Sequence, residues 1–213
     1  MPEFINRQAE EYAANLSSPE IQILKDIADF TSKNRGEAHM ISGHVQGRFL
    51  QMISCLLKPF NILEVGTFTG YSALCLAAGL QANGKLHTIE LRAEDADAAE
   101  SYFKQSVNCD KIILHRGDAH KIIPTLEISW DIVFLDGDKT GYIDYYNLTL
   151  PFLKSNGLMI VDNVLFHGDV LKENITGKSA KAIDVFNRYV ANDNRVEVVM
   201  LTVRDGISMI RKK

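Results

Sequence analysis

Cysteine is sparse and unpatterned in this chain: Cys55, Cys75 and Cys109 are an odd number, lie far apart, and form no C-x-x-C pair. That excludes a disulfide scaffold, a thiol redox pair and a cysteine zinc site, and it leaves a reducing cytoplasm as the expected setting. The three thiols read as small buried hydrophobes. Apolar runs are short. None approaches the roughly 18 residues that cross a bilayer, the longest being the glycine-interrupted stretch 74–80. Acids precede any apolar stretch at the N-terminus, so neither a transmembrane helix nor a secretory leader is expected. A basic excess is also missing: 23 Lys and Arg stand against 27 Asp and Glu, a formal charge of −4, and the cations are scattered apart from Arg211-Lys212-Lys213. Without a positive field a polyanion is not drawn to the surface, which disfavours nucleic acid as a partner. With 14 Gly, 5 Pro and 46% hydrophobic residues in 213, the composition is that of an ordinary globular protein. No repeat or low-complexity segment interrupts it. The expectation is one domain over 1–213, with a helical cap and lid at 1–58 and an α/β core at 59–213.

The first 60 residues carry helical spacing. Ile21, Leu24, Ile27, Ala28 and Phe30 follow a Ser18-Pro19-Glu20 start signal in which Ser18 suits the N-cap and Pro19 the first turn. Gly36 breaks this run, a second helix follows from about Gly43 to Leu57, and the polar link 37–42 is either a lid or a connector. From Pro59 the pattern changes to short apolar runs alternating with amphipathic stretches. Strands are expected at 62–65, 86–90, 112–115, 132–135 and 158–161, with helices at 71–80, 93–105, 121–126, 143–153 and near 179–190. Strands 196–203 and 206–210 have no helix between them and should pair as an antiparallel hairpin. The fold class expected is α/β: a doubly wound, mostly parallel seven-stranded sheet closed by that hairpin, with extra N-terminal helices. Trp130, His87 and His115 belong to its strands, and the two histidines read as packed and neutral.

Two groups of residues carry chemistry. In the first, Ile62-Leu63-Glu64-Val65-Gly66-Thr67-Phe68-Thr69-Gly70-Tyr71-Ser72 leaves a buried strand through two glycines into a helix. Glycines let a ligand approach the backbone beyond the carboxyl end of a strand. The spacing is not the G-x-G-x-x-G of a pyrophosphate cradle, and Glu64 beside the turn suits a cationic ligand better than a phosphate, which argues against a nicotinamide enzyme. Glu90 closes the next strand, where a carboxylate can accept from both hydroxyls of a ribose. A plain tight turn would also use Gly66 and Gly70. Only the addition of Glu64 and Glu90 points to a ligand.

In the second group, Asp136 leaves the fourth strand, and Asp162 and Asn163 leave the fifth. Neighbouring parallel strands bring their C-terminal ends together, so these three oxygen donors could hold a hard divalent ion, Mg²⁺ first, with positions left for two adjacent hydroxyls and water. Lys139 follows three residues after Asp136. An ammonium beside a divalent cation loses proton affinity, and the neutral lysine left after deprotonation could act as a general base. Taken singly, each has a bland reading: strand-end caps, an Asx turn, a solvated lysine.

The stretch 63–72 resembles the first motif of class I methyltransferases that bind S-adenosylmethionine, most closely the metal-dependent O-methyltransferases of the catechol and caffeoyl-CoA type, and the resemblance runs from Met40 to about Ile210. It implies that Glu90 holds the ribose, that Ser72 holds the methionine carboxylate, and that Gly117-Asp118-Ala119-His120 borders the adenine. Met40-Ile41-Ser42 matches the family's lid, which touches donor and acceptor. Asp136, Asp162 and Asn163 match its metal ligands, with Mg²⁺, Mn²⁺ or Ca²⁺ as candidates, and Lys139 matches its catalytic lysine. The cofactor set expected is therefore Met40, Ser42, Glu64, Gly66, Ser72, Glu90, Asp118, Ala119 and Asp136. A homodimer is implied as well. The methyl acceptor implied is a small hydroxylated aromatic, a catechol-like vicinal diol. Some bacterial relatives methylate a hydroxylated wobble uridine of tRNA instead, an alternative that the acidic balance disfavours. Acceptor choice falls to the N-terminal segment, the loop 166–178 with His167, and Arg204-Asp205.

Overall fold

A computed structural model describes residues 7–37 and 41–213. Its centre is a sheet of strands β1 (Asn61–Val65), β2 (Lys85–Glu90), β3 (Ile112–Arg116), β4 (Trp130–Leu135), β5 (Leu153–Asp162), β6 (Val196–Leu201) and β7 (Ile207–Lys212), in the order β3-β2-β1-β4-β5-β7-β6. The first five are mutually parallel, and β7 pairs antiparallel with both β5 and β6. This is the architecture expected from the alternation of elements. The central strands read as continuous apolar runs because both faces of the sheet are covered. Leu63, Val133 and Met159 stand side by side in register and pack on one face with Tyr142, Ile183 and Phe186. Ile62, Ile132, Leu158 and Phe134 turn to the other face, against Leu50, Leu74 and Phe103.

Helices α1 (Arg7–Leu16), α2 (Gln22–Asn34) and α3 (Gly43–Leu57) precede the sheet. Its strands are linked by α4 (Tyr71–Ala77), α5 (Ala93–Phe103), α6 (Ala119–Ile122), α7 (Tyr142–Thr149) and α8 (Lys178–Ala191). Among the described residues no helix is long and apolar enough to cross a membrane. On α3 the buried residues Gln46, Leu50 and Ser54 recur every four positions, and Ser54 Oγ donates to the Leu76 carbonyl at 2.5 Å, fastening α3 to α4. Strand order reverses between β1 and β4, so the chain leaves the C-terminal ends of these neighbours in opposite directions and opens a crevice there.

Several local expectations change. Helix α2 begins at Gln22 with Ile21 in the N-cap position; Ser18 is not the cap, and its carbonyl instead accepts from His44 Nε2 at 2.8 Å. The helix expected over 143–153 ends at Thr149, because Pro151 supplies no amide and the chain tightens into a 3₁₀ turn at Leu150–Phe152. Cys75 is buried as expected, whereas Cys55 and Cys109 are exposed, on the outer side of α3 and in a surface turn. Trp130 is core. His87 and His115 stack, with His87 Nδ1 3.0 Å from His115 Nε2. Burial lowers both, His87 to about 4, so the pair is neutral as expected.

Candidate functional site

The glycine turn is shaped by what presses against it. Gly66 has φ +98, and a Cβ there would lie 2.4 Å from the Asp136 carbonyl oxygen. The ends of β1 and β4 approach so closely that only glycine fits, and the Asp136 amide donates to the Val65 carbonyl at 2.8 Å. Gly70, with φ +93, starts α4 in contact with Phe103. Between them the backbone forms the floor of a narrow cleft, lined among others by Ile41, Ser42, Gly66, Thr69, Ser72 and Asp136.

Two carboxyl groups stand under this turn. Glu90 accepts from the Phe68 amide at 2.7 Å and from the Arg92 amide at 2.9 Å, which fixes its orientation at the end of β2. Glu64 is fully buried. Its Oε2 accepts from Thr88 Oγ1 at 2.5 Å, Thr88 in turn meets Thr67 Oγ1, and its Oε1 has no hydrogen-bond partner. Burial pushes the Glu64 carboxyl up to about 8 against the opposing pull of Thr88 and Ser72, and Asp136 and Glu90 add to the rise. A buried acid with an orphaned oxygen, surrounded by other acids, is a site for a positive group. Asp118 caps α6 by accepting from the His120 amide at 2.9 Å, and Ala119 is buried behind it. Ser42, Gly66, Ser72 and Asp136 therefore meet around one cleft with Glu64 beneath the turn, while Met40 lies outside the described residues.

The second cluster adjoins this cleft through Asp136. Lys139 Nζ donates to Asp136 Oδ1 and to the Tyr142 hydroxyl, both at 2.8 Å. Tyr142 in turn shares its one hydroxyl proton between the Asp162 carbonyl at 3.0 Å and the Leu135 carbonyl at 3.3 Å, tying the ends of β4 and β5 together. Burial raises the Asp136 carboxyl to about 6; Lys139 opposes the shift and Asp162 adds to it. Burial alone would lower Lys139, but Asp136 and Tyr142 outweigh it and hold the ammonium charged. That state is the reverse of the one expected beside a divalent ion.

Asp162 accepts from the Asn163 amide at Oδ1 and from Gln46 Nε2 at Oδ2, both at 2.7 Å. Asn163, with φ 57, donates its Nδ2 to Asp205 Oδ2 at 3.2 Å, which leaves Oδ1 as the side chain's acceptor. Asp205 also takes the His167 amide, so His167 belongs to a turn as its position suggests. Among the described residues no group of three His, Cys, Asp or Glu side chains is placed to hold a metal ion. The candidate set is smaller in charge: two carboxylates, of which Asp162 adds to the rise of Asp136, and an amide oxygen. All are hard oxygen donors, and that chemistry fits Mg²⁺.

Sequence reasoning missed Gln46, Thr88 and Tyr142, and it assigned Asp205 to acceptor choice where the structure sets it against Asn163 and the His167 amide. Gln46 was findable, being the one amide in the buried 46–50–54 row of α3. The others had no signal, since a hydroxyl on a strand or a tyrosine on a helix reads equally as packing.

The chain matches the family described as O-methyltransferase over residues 14–213. It belongs to that family, the class I S-adenosylmethionine-dependent enzymes of the caffeoyl-CoA and catechol type. The probable caffeoyl-CoA O-methyltransferase 1 of Dictyostelium discoideum is 30% identical over 213 residues, covering 97% of this chain and 93% of that protein. A catechol O-methyltransferase of Niastella koreensis is 32% identical over 160 residues, 73% of this chain and 72% of the other. Among solved structures, the O-methyltransferase TomG from Streptomyces achromogenes, in complex with SAM, superposes with a TM-score of 0.91 at 25% identity over 100% of this chain and 99% of that one. The O-methyltransferase family thus accounts for the parallel sheet, the antiparallel hairpin and the crevice at the β1/β4 reversal.

Proposed function

We propose that this O-methyltransferase moves the methyl group of S-adenosylmethionine to one hydroxyl of a small aromatic vicinal diol such as a catechol. The observation that carries the reading is the double membership of Asp136, which lines the glycine-turn cleft and also bears Lys139 on its Oδ1. One carboxylate thereby joins the place for the donor to the place for the acceptor. Glu64, Gly66, Ser42 and Ser72 take the methionine part of the donor, Glu90 its ribose, and Asp118 with Ala119 its adenine.

Asp136, Asp162 and Asn163 are the residues that would hold a divalent cation, Mg²⁺ or a substitute such as Mn²⁺ or Ca²⁺. Bound there, the ion would acidify the acceptor hydroxyl and fix its oxygen. Lys139 Nζ, held 2.8 Å from Asp136 Oδ1, is the group that would take the hydroxyl proton, as the neutral amine after its own proton has passed to solvent. The acceptor oxygen bonds to the methyl carbon as the carbon–sulfur bond breaks, releasing S-adenosylhomocysteine and a methyl ether. Orientation by the rigid ends of β1, β4 and β5 supplies most of the rate.

A transfer screen with labelled S-adenosylmethionine over catechols, caffeoyl thioesters and tRNA with and without 5-hydroxyuridine, each with and without excess EDTA, tests the reading. Methylation of a catechol that EDTA abolishes supports it. Transfer to tRNA alone overturns the acceptor, and full activity in EDTA overturns the cation.

A further inference from the structure

Four parts of the chain meet at one guanidinium. Arg204 sits in the turn between β6 and β7 with φ 47, and its Nη1 donates to the Ile41 carbonyl at 2.9 Å, to the Ser42 carbonyl, and to Gln46 Oε1 at 3.3 Å. Its Nε lies 3.3 Å from Glu10 Oε1 on α1. At the entrance of α3, the bare backbone of Gly43 faces the same group, its absent Cβ 3.5 Å from Nη1. The sequence places Arg204 among residues for acceptor choice, yet the side chain is spent on the segment that roofs the donor cleft.

The second step runs through Gln46, which is 1% exposed. Arginine can only donate, so Gln46 must turn its amide oxygen to Arg204, and its amide nitrogen then has one direction left, toward Asp162 Oδ2 at 2.7 Å. The opposite amide orientation would set donor against donor and acceptor against acceptor. Arg204 thus fixes the rotamer of a residue that holds Asp162. The roof matters because the cleft beneath Ile41 and Ser42 has room for only about 10 Å³, far less than the roughly 300–1,000 Å³ of sites for small organic ligands. Residues 41–42 roof the part of the cleft assigned to the methionine end of the donor, so where they sit sets the room that end has.

We propose that Arg204 is a positioning residue that seats the 41–42 segment over the donor cleft and, through Gln46, orients Asp162. The proposal rests on the donor cleft assigned above. It is tested with Arg204→Met, Arg204→Lys, Gln46→Met and the double variant Arg204→Met/Gln46→Met. Arg211→Met is the control, a loss of arginine on the same hairpin whose partners are Glu197 and Asn156. The readouts are calorimetric binding of S-adenosylhomocysteine and amide hydrogen exchange over residues 41–46.

Arg204→Met is expected to weaken S-adenosylhomocysteine about tenfold, because a roof without its three bonds to Arg204 must be ordered on binding, and to speed exchange over 41–46. Arg204→Lys falls between, because a single point charge cannot reach three acceptors at once. Gln46→Met adds little to Arg204→Met, since the two act as one unit, and Arg211→Met changes neither readout. A folded Arg204→Met with unaltered affinity and exchange overturns the proposal. So does full additivity in the double variant. Should Arg204→Met not fold, the lysine variant and Gln46→Met decide by the same readouts. A wild-type chain that does not bind S-adenosylhomocysteine removes the donor reading itself, and the exchange comparison still judges the seating of 41–42.

Discussion

The Lys139 ammonium lies 2.8 Å from Asp136 Oδ1, three residues back along the same loop, and both side chains are largely shielded from water. In this arrangement the lysine serves the carboxylate, as the countercharge of an acid that burial and Asp162 push up to about 6. A cation held by Asp136 competes for the same oxygen. The proposed mechanism therefore requires two electrostatic states of this loop, the observed one with the ammonium as partner and one in which the lysine is released.

Lys139→Met separates these states. It removes the base and leaves Ser42, Gly66 and Ser72 of the glycine-turn cleft in place, so kcat should fall by about 10²–10⁴-fold, the usual contribution of a positioned acid or base. The rising limb of the kcat profile against pH should flatten, and S-adenosylhomocysteine affinity should stay near wild type. Stopped-time assays across about pH 6 to 10 check this. A variant with wild-type kcat and profile reduces Lys139 to a countercharge only.

Asp162→Ala removes one of two charged oxygen donors and also strands the Gln46 amide and the Asn163 backbone N–H. Mg²⁺-dependent turnover should drop by orders of magnitude, with donor binding nearly intact, because the donor uses the other side of Asp136. Titration with Mn²⁺ followed by its paramagnetic signal reads the ion directly. Equal Mn²⁺ affinity in variant and wild type places the ion elsewhere.

Glu90→Gln has a second effect that the sequence alone does not reveal. Both carboxylate oxygens already accept backbone amides, from Phe68 and Arg92, so the new amide nitrogen must face one of those N–H groups. Donor affinity should fall by about 1–3 kcal/mol for the lost charged acceptor, and the apo protein should also melt earlier. Calorimetry with S-adenosylmethionine and a thermal melt without it measure the two parts. A lowered affinity with an unchanged Tm limits Glu90 to the ligand.

Much of this was legible beforehand because the deciding patterns are local. Apolar runs of four to six residues separated by helical stretches give a parallel sheet, and the missing helix between 203 and 206 gives the hairpin. Glu64, Gly66 and Asp136 were legible from their places at strand ends. The Ser18 start signal is a propensity only: α2 begins at Gln22, and Glu20 ahead of it accepts from the Tyr71 hydroxyl. Arg204, Gln46, Tyr142 and Thr88 act through contacts between residues far apart in sequence, such as the bond between Gln46 and Asp162. No spacing along the chain encodes such a pairing.

Glu64 makes the sharpest statement about pH. Burial lifts its carboxyl from 4.5 to about 8, so in between the folded apo protein keeps a proton that the unfolded chain has released. Stability linked to this group is then greatest at low pH and is lost as pH rises through that window. Glu64→Gln keeps the shape without the titration, so the Tm of the variant relative to wild type should climb steadily from about pH 5 to about pH 8. Donor binding has the opposite sign. The sulfonium and ammonium of S-adenosylmethionine favour ionised Glu64, so wild-type affinity should rise with pH as Glu64 gives up its proton, and the glutamine variant should bind more weakly with a flatter pH dependence. Reading the trend below about pH 7 keeps the donor's own amine protonated throughout. Calorimetry in two buffers of different ionisation heat should show proton release on binding in the wild type and little in the variant. Parallel apo melting profiles for the two proteins, with equal proton release, would mean that Glu64 is ionised before the donor arrives and that its orphaned oxygen has another partner in solution.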